Sequence, residues 1–487
     1  MDRPPWENNY VKHSIGHSVR WAGVITAIAA ISAMAADPVS AQTAPLATDE
    51  LITPAFVMEP ETALLDQEGG GKLFRIDNQR LLVMEGTPAE MGFQHGRLLA
   101  KEIRHIIKEG YMAKAFYAKG YSKEYIAAQS ERMEKHFPPE YIEEMKGLVR
   151  GLEAAGVTDI AYEDIRTAVT QAEIAHHKPN EPPELNRSGA AAPAEHCSNF
   201  AVWGKWTKDG RLLHGRNLDW NIEDGAQENA ILLVWRPKGG IPFMMLGWSG
   251  GIGSVSGMNA EGITIGEMTS VSSEETFDGL PLMLLMRRAL EKATTLDEAV
   301  AIIEKGPRTT GWNFIIGDGK IPSARALEVD AVSCGVFGPL DPKETDRTGH
   351  WAMDDAIRRT NHPIGEAQLL KLAIRYGAQY GIDAGNLQAA LPLLKMQNTW
   401  KRYDWLGKQI EARPGGMDVS EAAQLLANPP VGGPDTETLH AFICDPANKT
   451  AYVAVAGANP PVPAPLTRFV KIELANWFTR SAGASAQ

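Results

Sequence analysis

Apolar spacing changes character most sharply after His176, and that switch constrains the fold more than any other feature. From Thr87 to His176 the apolar side chains recur at helical intervals, whereas from Ser198 onward they alternate in short runs broken by turn residues. Between them, Lys178 to Glu195 is rich in Pro, Asn, Ala and Gly without a hydrophobic period, and reads as an exposed, cleavable connector. Before the helices, Lys72 to Met84 reads as a hairpin around Asp77-Asn78. Thr87, Pro88 and Glu90 then supply a cap, a first-turn proline and a capping-box acid for a helix running on through Ile103, Ile106 and Ile107. Further helices are expected over 123–136, 139–155 and 162–176.

The second part opens with a hairpin in which Ser198 to Trp206 and Leu212 to Leu218 flank Lys208-Asp209-Gly210. Strands are expected at 230–235, 243–246 and 263–268, a helical pair at 281–292 and 296–305, and strands again at 313–316, 326–329, 439–444 and 451–456. Short connections make the strands antiparallel neighbours, so the pattern predicts an α+β fold with helices packed on sheet faces.

The N-terminus reads as a targeting signal. Arg20 precedes an uncharged run, Trp21 to Ala36, too short for the ~20 residues a membrane span needs, and Val39-Ser40-Ala41 offers small residues to a signal peptidase. Residues 1–41 are therefore expected to be removed on export to the periplasm or beyond, leaving a mature protein with no membrane span. A net charge of −12 with no Lys/Arg block leaves no footprint for a phosphate backbone, so no nucleic-acid partner is expected. His-Glu-x-x-His and Cys-x-x-Cys are absent, which argues against a metal or other cofactor. Gly250 to Gly253 lacks the lysine and helix of a phosphate loop and reads instead as backbone approaching a substrate closely. Of three cysteines, Cys334 and Cys444 sit in apolar, strand-like runs, as buried thiols or one disulfide; Cys197 does not.

Cys197 opens the segment that carries the chemistry. It begins His196-Cys197-Ser198-Asn199-Phe200, turns through Asp209-Gly210, and returns as His214-Gly215-Arg216-Asn217-Leu218-Asp219-Trp220. A thiol is the most nucleophilic ordinary side chain, but only as thiolate, so it needs a base or a nearby cation. A free α-amine, with a pKa of about 7.7–8.0, can be that base and shares the same Cα. A two-residue turn at Asp209-Gly210 would put Cys197 opposite Ile222, on one face with Arg216 but not Asp219, so a bulge or bend near Asn217 or Leu218 is expected.

This segment resembles the penicillin acyltransferase-like family of N-terminal nucleophile hydrolases, with acid ceramidase and bile salt hydrolase as more distant likenesses. Gly86 to Gly96, Gly257 to Gly262, Trp312 to Ile315, Leu327 to Val329 and Thr360-Asn361-His362 continue the resemblance from about Met84 to Gly457. It implies a four-layer αββα sandwich, preceded by a mainly helical propeptide. Residues 42–196 would be that propeptide or α chain, with linker 178–195, and residues 197–487 the catalytic β chain, the two staying associated after autocatalytic cleavage between His196 and Cys197. It also implies Arg216 as support for the thiolate or substrate, Asp219 as holder of the α-ammonium, and Asn313 as an oxyanion donor. Asn217 would fix the bend, while Glu267 and Arg325 are positional candidates for a further acid and second arginine. The substrate would be a small linear amide: an N-acyl amino acid, fatty amide, β-lactam side chain or bile-salt-like conjugate. Two other readings stand beside this one: an exported, non-catalytic binding protein of the same fold, or a Cys-His protease using internal Cys197 with His214 or His440. The reading leaves a homo-oligomer open.

Overall fold

The computed structural model describes residues 51–181, 196–222, 225–344, 349–379 and 387–479, all within one compact unit spanning Glu50–Gln487. The expected signal peptide and most of the connector lie outside the described residues.

The chain enters through β1 (Ala55–Val57), β2 (Thr62–Glu68), β3 (Gly71–Ile76) and β4 (Gln79–Gly86). The expected turn joins β3 to β4, with Asp77 in the left-handed region at φ 52°. Thr87 and Glu90 form a reciprocal capping box at the start of α1 (Pro88–Leu98), as the sequence predicts. Helices α2 (Ala100–His105), α3 (Lys123–Glu134), α4 (Pro139–Ala154) and α5 (Tyr162–Ala175) follow. Between α2 and α3 the backbone adopts an eleven-residue π-helix, Ile106–Phe116, where the apolar period alone predicts α-helix. Helices α1 and α4 cross with their backbones touching: a Cβ on Gly92 would stand 1.9 Å from the Glu144 carbonyl oxygen, and one on Gly147 2.3 Å from that of Ala89.

After the connector come β5 (Ser198–Gly204), β6 (Gly210–Asp219), β7 (Ala230–Pro237), β8 (Phe243–Trp248), β9 (Ser256–Asn259) and β10 (Ile263–Thr269). The expected helical pair is α6 (Leu282–Lys292) and α7 (Leu296–Lys305); then β11 (Trp312–Asp318), β12 (Ser323–Val329), β13 (Cys334–Phe337) and β14 (Ala356–Arg359). Four helices not read from the sequence intervene: α8 (Glu366–Gln379), α9 (Leu387–Lys395), α10 (Asn398–Glu411) and α11 (Val419–Ala427). The described chain closes with β15 (Thr438–Asp445), β16 (Thr450–Val455), a short two-stranded ribbon β17–β18 (457–458, 461–462), β19 (Arg468–Glu473) and helix α12 (Leu474–Phe478).

Two sheets result, a seven-stranded one ordered β1-β19-β16-β15-β6-β5-β14 and a ten-stranded one ordered β13-β12-β11-β10-β9-β8-β7-β4-β3-β2. They meet face to face, β5 and β6 against β10 and β11. Helices α1, α6 and α7 pack on the ten-stranded sheet, and α10 and α11 on the seven-stranded one, giving the expected α+β layering of helix, sheet, sheet, helix. Among the named strands after Cys197 every pairing is antiparallel, as the short connections predict. The segment before Cys197 adds what the sequence reading did not assign: β2, β3 and β4 extend the ten-stranded sheet and β1 edges the other, with β4 parallel to β7 and β1 parallel to β19.

The N-terminal part is joined to the rest by more than strand ladders. Arg287 on α6 pairs with Glu144 on α4 at 2.6 Å, both fully buried. Trp235 Nε1 donates to the same carboxylate at 2.8 Å, and Tyr141 donates to Glu291 at 2.9 Å.

Candidate active site

The register of β5 and β6 sets the site. Ser198 pairs with Asn217, Asn199 with Arg216 and Phe200 with Gly215, so the turn is the longer loop Lys205–Asp209 rather than two residues. Cys197, one step before Ser198, therefore comes level with Leu218 instead of Ile222. The Asp219 backbone N–H then lies 3.4 Å from Cys197 Sγ. Register shifts occur in β5 between Val202 and Gly204, and on neighbouring β15 between Thr438 and His440, opposite Asp219 and Leu218.

Asp219 meets the sulfur through its backbone. Its carboxylate accepts from Thr438 Oγ1 at 2.7 Å through Oδ1, while Oδ2 is buried with no hydrogen-bond partner among the described residues. Burial pushes its pKa up to about 7, against the pull of Thr438, Arg402 and Arg216.

Arg216 reaches across from β6 to the facing sheet. Its Nε donates to the Glu267 carbonyl at 2.8 Å and its Nη2 to the Glu267 carboxylate at 2.7 Å. Nη1 donates to Ser256 Oγ at 2.6 Å and lies 3.3 Å from His440 Nε2; Nη2 also stands 4.0 Å from Cys197 Sγ. At that separation the guanidinium acts on the sulfur as a charge rather than a hydrogen-bond donor. Gly266 allows the approach, since a Cβ there would lie 3.1 Å from Arg216 Cδ and 2.6 Å from Asn199 Nδ2.

Arg216, Asp219 and Glu267 thus gather around Cys197, and the other candidates do not. Asn313 spends both amide hydrogens on the carbonyls of Thr360 and His362, at 2.9 and 2.8 Å, so it fixes the 360–362 loop rather than presenting a donor to an oxyanion. Asn217 likewise donates to Leu426 and Val431 carbonyls and ties β6 to the segment around α11. Arg325 donates to Ser323 Oγ and the Ala324 carbonyl on its own strand. The second arginine beside the cysteine is Arg402 on α10, fully buried, which donates to the Cys197 carbonyl, to Ser198 Oγ at 3.0 Å and to Asn361 Oδ1 at 3.0 Å. Burial draws its pKa down to about 10. The sequence did hold a signal for it: Arg402 shares a helical face with buried Leu406 and Gln409, a position where an apolar residue is the default.

The histidines of the protease reading are engaged elsewhere. His214 places its ring nitrogens 2.7 Å from Thr264 Oγ1 and 2.8 Å from Asn199 Oδ1, while His440 turns Nε2 to Arg216 and Ser256. Cys334 and Cys444 are free thiols, on strands of different sheets. Gly250 to Gly253 serves the core rather than a substrate: the Gly250 N–H donates to His95 Nε2, and the Ile252 carbonyl accepts from Arg287. Among the described residues no group of three or more His, Cys, Asp or Glu is placed to hold a metal ion. No described helix is long and apolar enough to cross a membrane.

Cys197 opens onto a cavity of about 230 Å³. Trp220, Trp248 and Trp312 line it from the sheets, and Ile106, Ala115 and Ala172 from the helical part before the connector. Such a concave, largely apolar chamber holding a few polar groups suits a small molecule.

Residues 206–367 match the family model described as acyl-coenzyme A:6-aminopenicillanic acid acyl-transferase; the match includes Arg216, Asp219, Glu267 and Asn313 and begins after Cys197. An uncharacterized protein of Archaeoglobus fulgidus is 30% identical over 256 residues, which span 49% of this chain and 41% of that protein. The acyl-coenzyme A:6-aminopenicillanic-acid-acyltransferase 40 kDa form of Emericella nidulans is 26% identical over 251 residues, 51% of this chain and 63% of that protein. Among solved structures, a Caenorhabditis elegans N-acylethanolamine-hydrolyzing acid amidase ortholog aligns with a TM-score of 0.36 at 15% identity, covering 52% of this chain and 93% of that one. Residues 206–367 are thus similar to the acyl-coenzyme A:6-aminopenicillanic acid acyl-transferase family, and the chain spans less than half the length of the Archaeoglobus relative.

Proposed function

We propose that the chain is an exported, self-processing hydrolase or acyltransferase of linear amides, working through an acyl thioester on Cys197. Its signal peptide would be residues 1–41, its α chain 42–196 and its catalytic β chain 197–487. Processing requires the Cys197 thiol to attack the His196 carbonyl; the acyl group moves from nitrogen to sulfur, and water releases a chain that begins at Cys197. The new α-amine then takes the thiol proton, and the thiolate attacks the substrate carbonyl. The amine leaves with a proton, and water or a second amine discharges the thioester.

One observation carries this reading. Asp219, whose backbone N–H lies 3.4 Å from Cys197 Sγ, keeps a buried carboxylate oxygen without a hydrogen-bond partner among the described residues, and cleavage would create on Cys197 an ammonium that could serve it. Arg216, at 4.0 Å from the sulfur, supplies the cation a thiolate requires. The apolar cavity favours an apolar acyl group, and the family match and the fungal relative's description favour acyl chemistry. Turnover of a panel of N-acyl amino acids, fatty amides and β-lactam side-chain amides tests it. Activity on at least one class, abolished in Cys197→Ala, is expected; undiminished activity in that variant would refute the thioester.

A further inference from the structure

We propose that His440 is a positioning residue that, with Ser256, aims the Arg216 guanidinium at Cys197, an inference that rests on Cys197 being the nucleophile. A guanidinium has five N–H donors in a fixed planar fork. Here Nε takes the Glu267 carbonyl, while Nη2 divides between the Glu267 carboxylate and the side of Cys197 Sγ. The two remaining hydrogens, both on Nη1, face Ser256 Oγ at 2.6 Å and His440 Nε2 at 3.3 Å. Ser256 Oγ itself lies 3.2 Å from the same Nε2. Both neighbours therefore converge on one imidazole lone pair, which requires Nε2 to be bare and the ring proton to sit on Nδ1. A protonated ring would set a second cation against Arg216. Burial and the Arg216 charge hold the ring neutral, well below its ordinary pKa range.

The consequence lies at the sulfur. Glu267 grips the Nε–Nη2 edge of the fork, and among the described residues Ser256 and His440 alone hold Nη1. Losing the imidazole acceptor strands a buried donor, and the fork relieves this by rotating about the Glu267 contact, which moves its charge relative to Cys197 Sγ. His440 stands on β15 and Ser256 on β9, so the seven- and ten-stranded sheets each contribute one half of the clamp.

Alkylation of Cys197 by iodoacetamide, followed by peptide mass spectrometry against pH, tests this without any substrate and separates Cys197 from Cys334 and Cys444. In the wild-type protein the alkylation midpoint should lie below the ordinary thiol value of about 8.5. His440→Leu should raise it by about one pH unit, equivalent to a tenfold loss of thiolate at neutral pH. His440→Gln, whose amide oxygen can take the same hydrogen bond, should recover most of the shift, and Ser256→Ala should shift it less in the same direction. Circular dichroism confirms that each variant is folded, and Ser256→Ala keeps the test open where His440→Leu does not fold. A depressed wild-type midpoint left in place by both His440→Leu and Ser256→Ala overturns this inference alone. A wild-type midpoint at the ordinary thiol value overturns the nucleophile reading and this one with it.

Discussion

The buried carboxylate of Asp219 gives the uncut chain a stability that depends on pH in a calculable way. Burial raises its folded-state pKa to about 7, with Thr438, Arg402 and Arg216 facing it and Glu437 adding a like charge. In the unfolded chain the same group titrates near about 3.9. Between those values the folded state binds one proton more than the unfolded state. Stability therefore falls as pH rises from about 4 to 7 and levels off above. Three pKa units at ~1.4 kcal/mol each set the loss at about 4 kcal/mol. Cys197→Ala provides the uncut chain, and Asp219→Asn in that background removes the titration while retaining an acceptor for Thr438. Denaturant melts at pH 5 and pH 8 then give a double difference, in which Glu173, Glu275 and the other buried acids cancel. Asp219→Asn should gain stability at pH 8 relative to pH 5 by about 2–3 kcal/mol, the part of the titration that lies above pH 5. An equal effect at both pH values would refute the claim that burial holds the Asp219 pKa high in the uncut chain.

Other outcomes follow from the same geometry. Cys334→Ser and Cys444→Ser should process and turn over normally, because both thiols lie away from the cavity that Cys197 lines; intact mass and turnover check this. Glu144→Gln should cost about 3–5 kcal/mol by leaving Arg287 buried without its counter-charge, and should loosen the N-terminal part from the remainder in native mass spectra. Gly147→Ala should lower the melting temperature markedly, since its Cβ would sit 2.3 Å from the Ala89 carbonyl oxygen, with a cost on the order of 1–3 kcal/mol or more. Arg216→Lys keeps the charge but cannot fill the fork's contacts with Glu267 and Ser256, so kcat/KM should fall at least about tenfold, measured on variant protein shown by circular dichroism to be folded.

Local chemistry was readable where it acts over a few residues. The capping box at Thr87, the Asp77-Asn78 turn and the helical pair at 282–305 are fixed by neighbours in sequence, and the structure places each where the pattern does. Register was not readable, because it depends on loop length: five residues in place of two moved Cys197 from Ile222 to Leu218 and brought Asp219 N–H to the sulfur. Long-range pairings were also invisible. That β4 lies parallel to β7, or that Arg402 from α10 reaches the Cys197 carbonyl, follows from tertiary packing that no local period encodes. Arg216 and Asp219 are legible because they lie in the hairpin that Cys197 opens, with their roles implied by the family resemblance. Asn313, Glu267 and Arg325 come from position in a family pattern: Glu267 meets Arg216, whereas the hydrogen bonds of Asn313 and Arg325 go to the 360–362 loop and to the Ser323–Ala324 edge.

The central claim is that Cys197 becomes an N-terminal nucleophile, and intact-mass measurement on the purified, active protein tests it most directly. The account predicts two chains that travel together through gel filtration, the larger with a mass matching residues 197–487 and an N-terminal sequence of Cys-Ser-Asn-Phe. Cys197→Ala should yield one chain and no turnover. Full activity in a single uncut chain would contradict the mechanism.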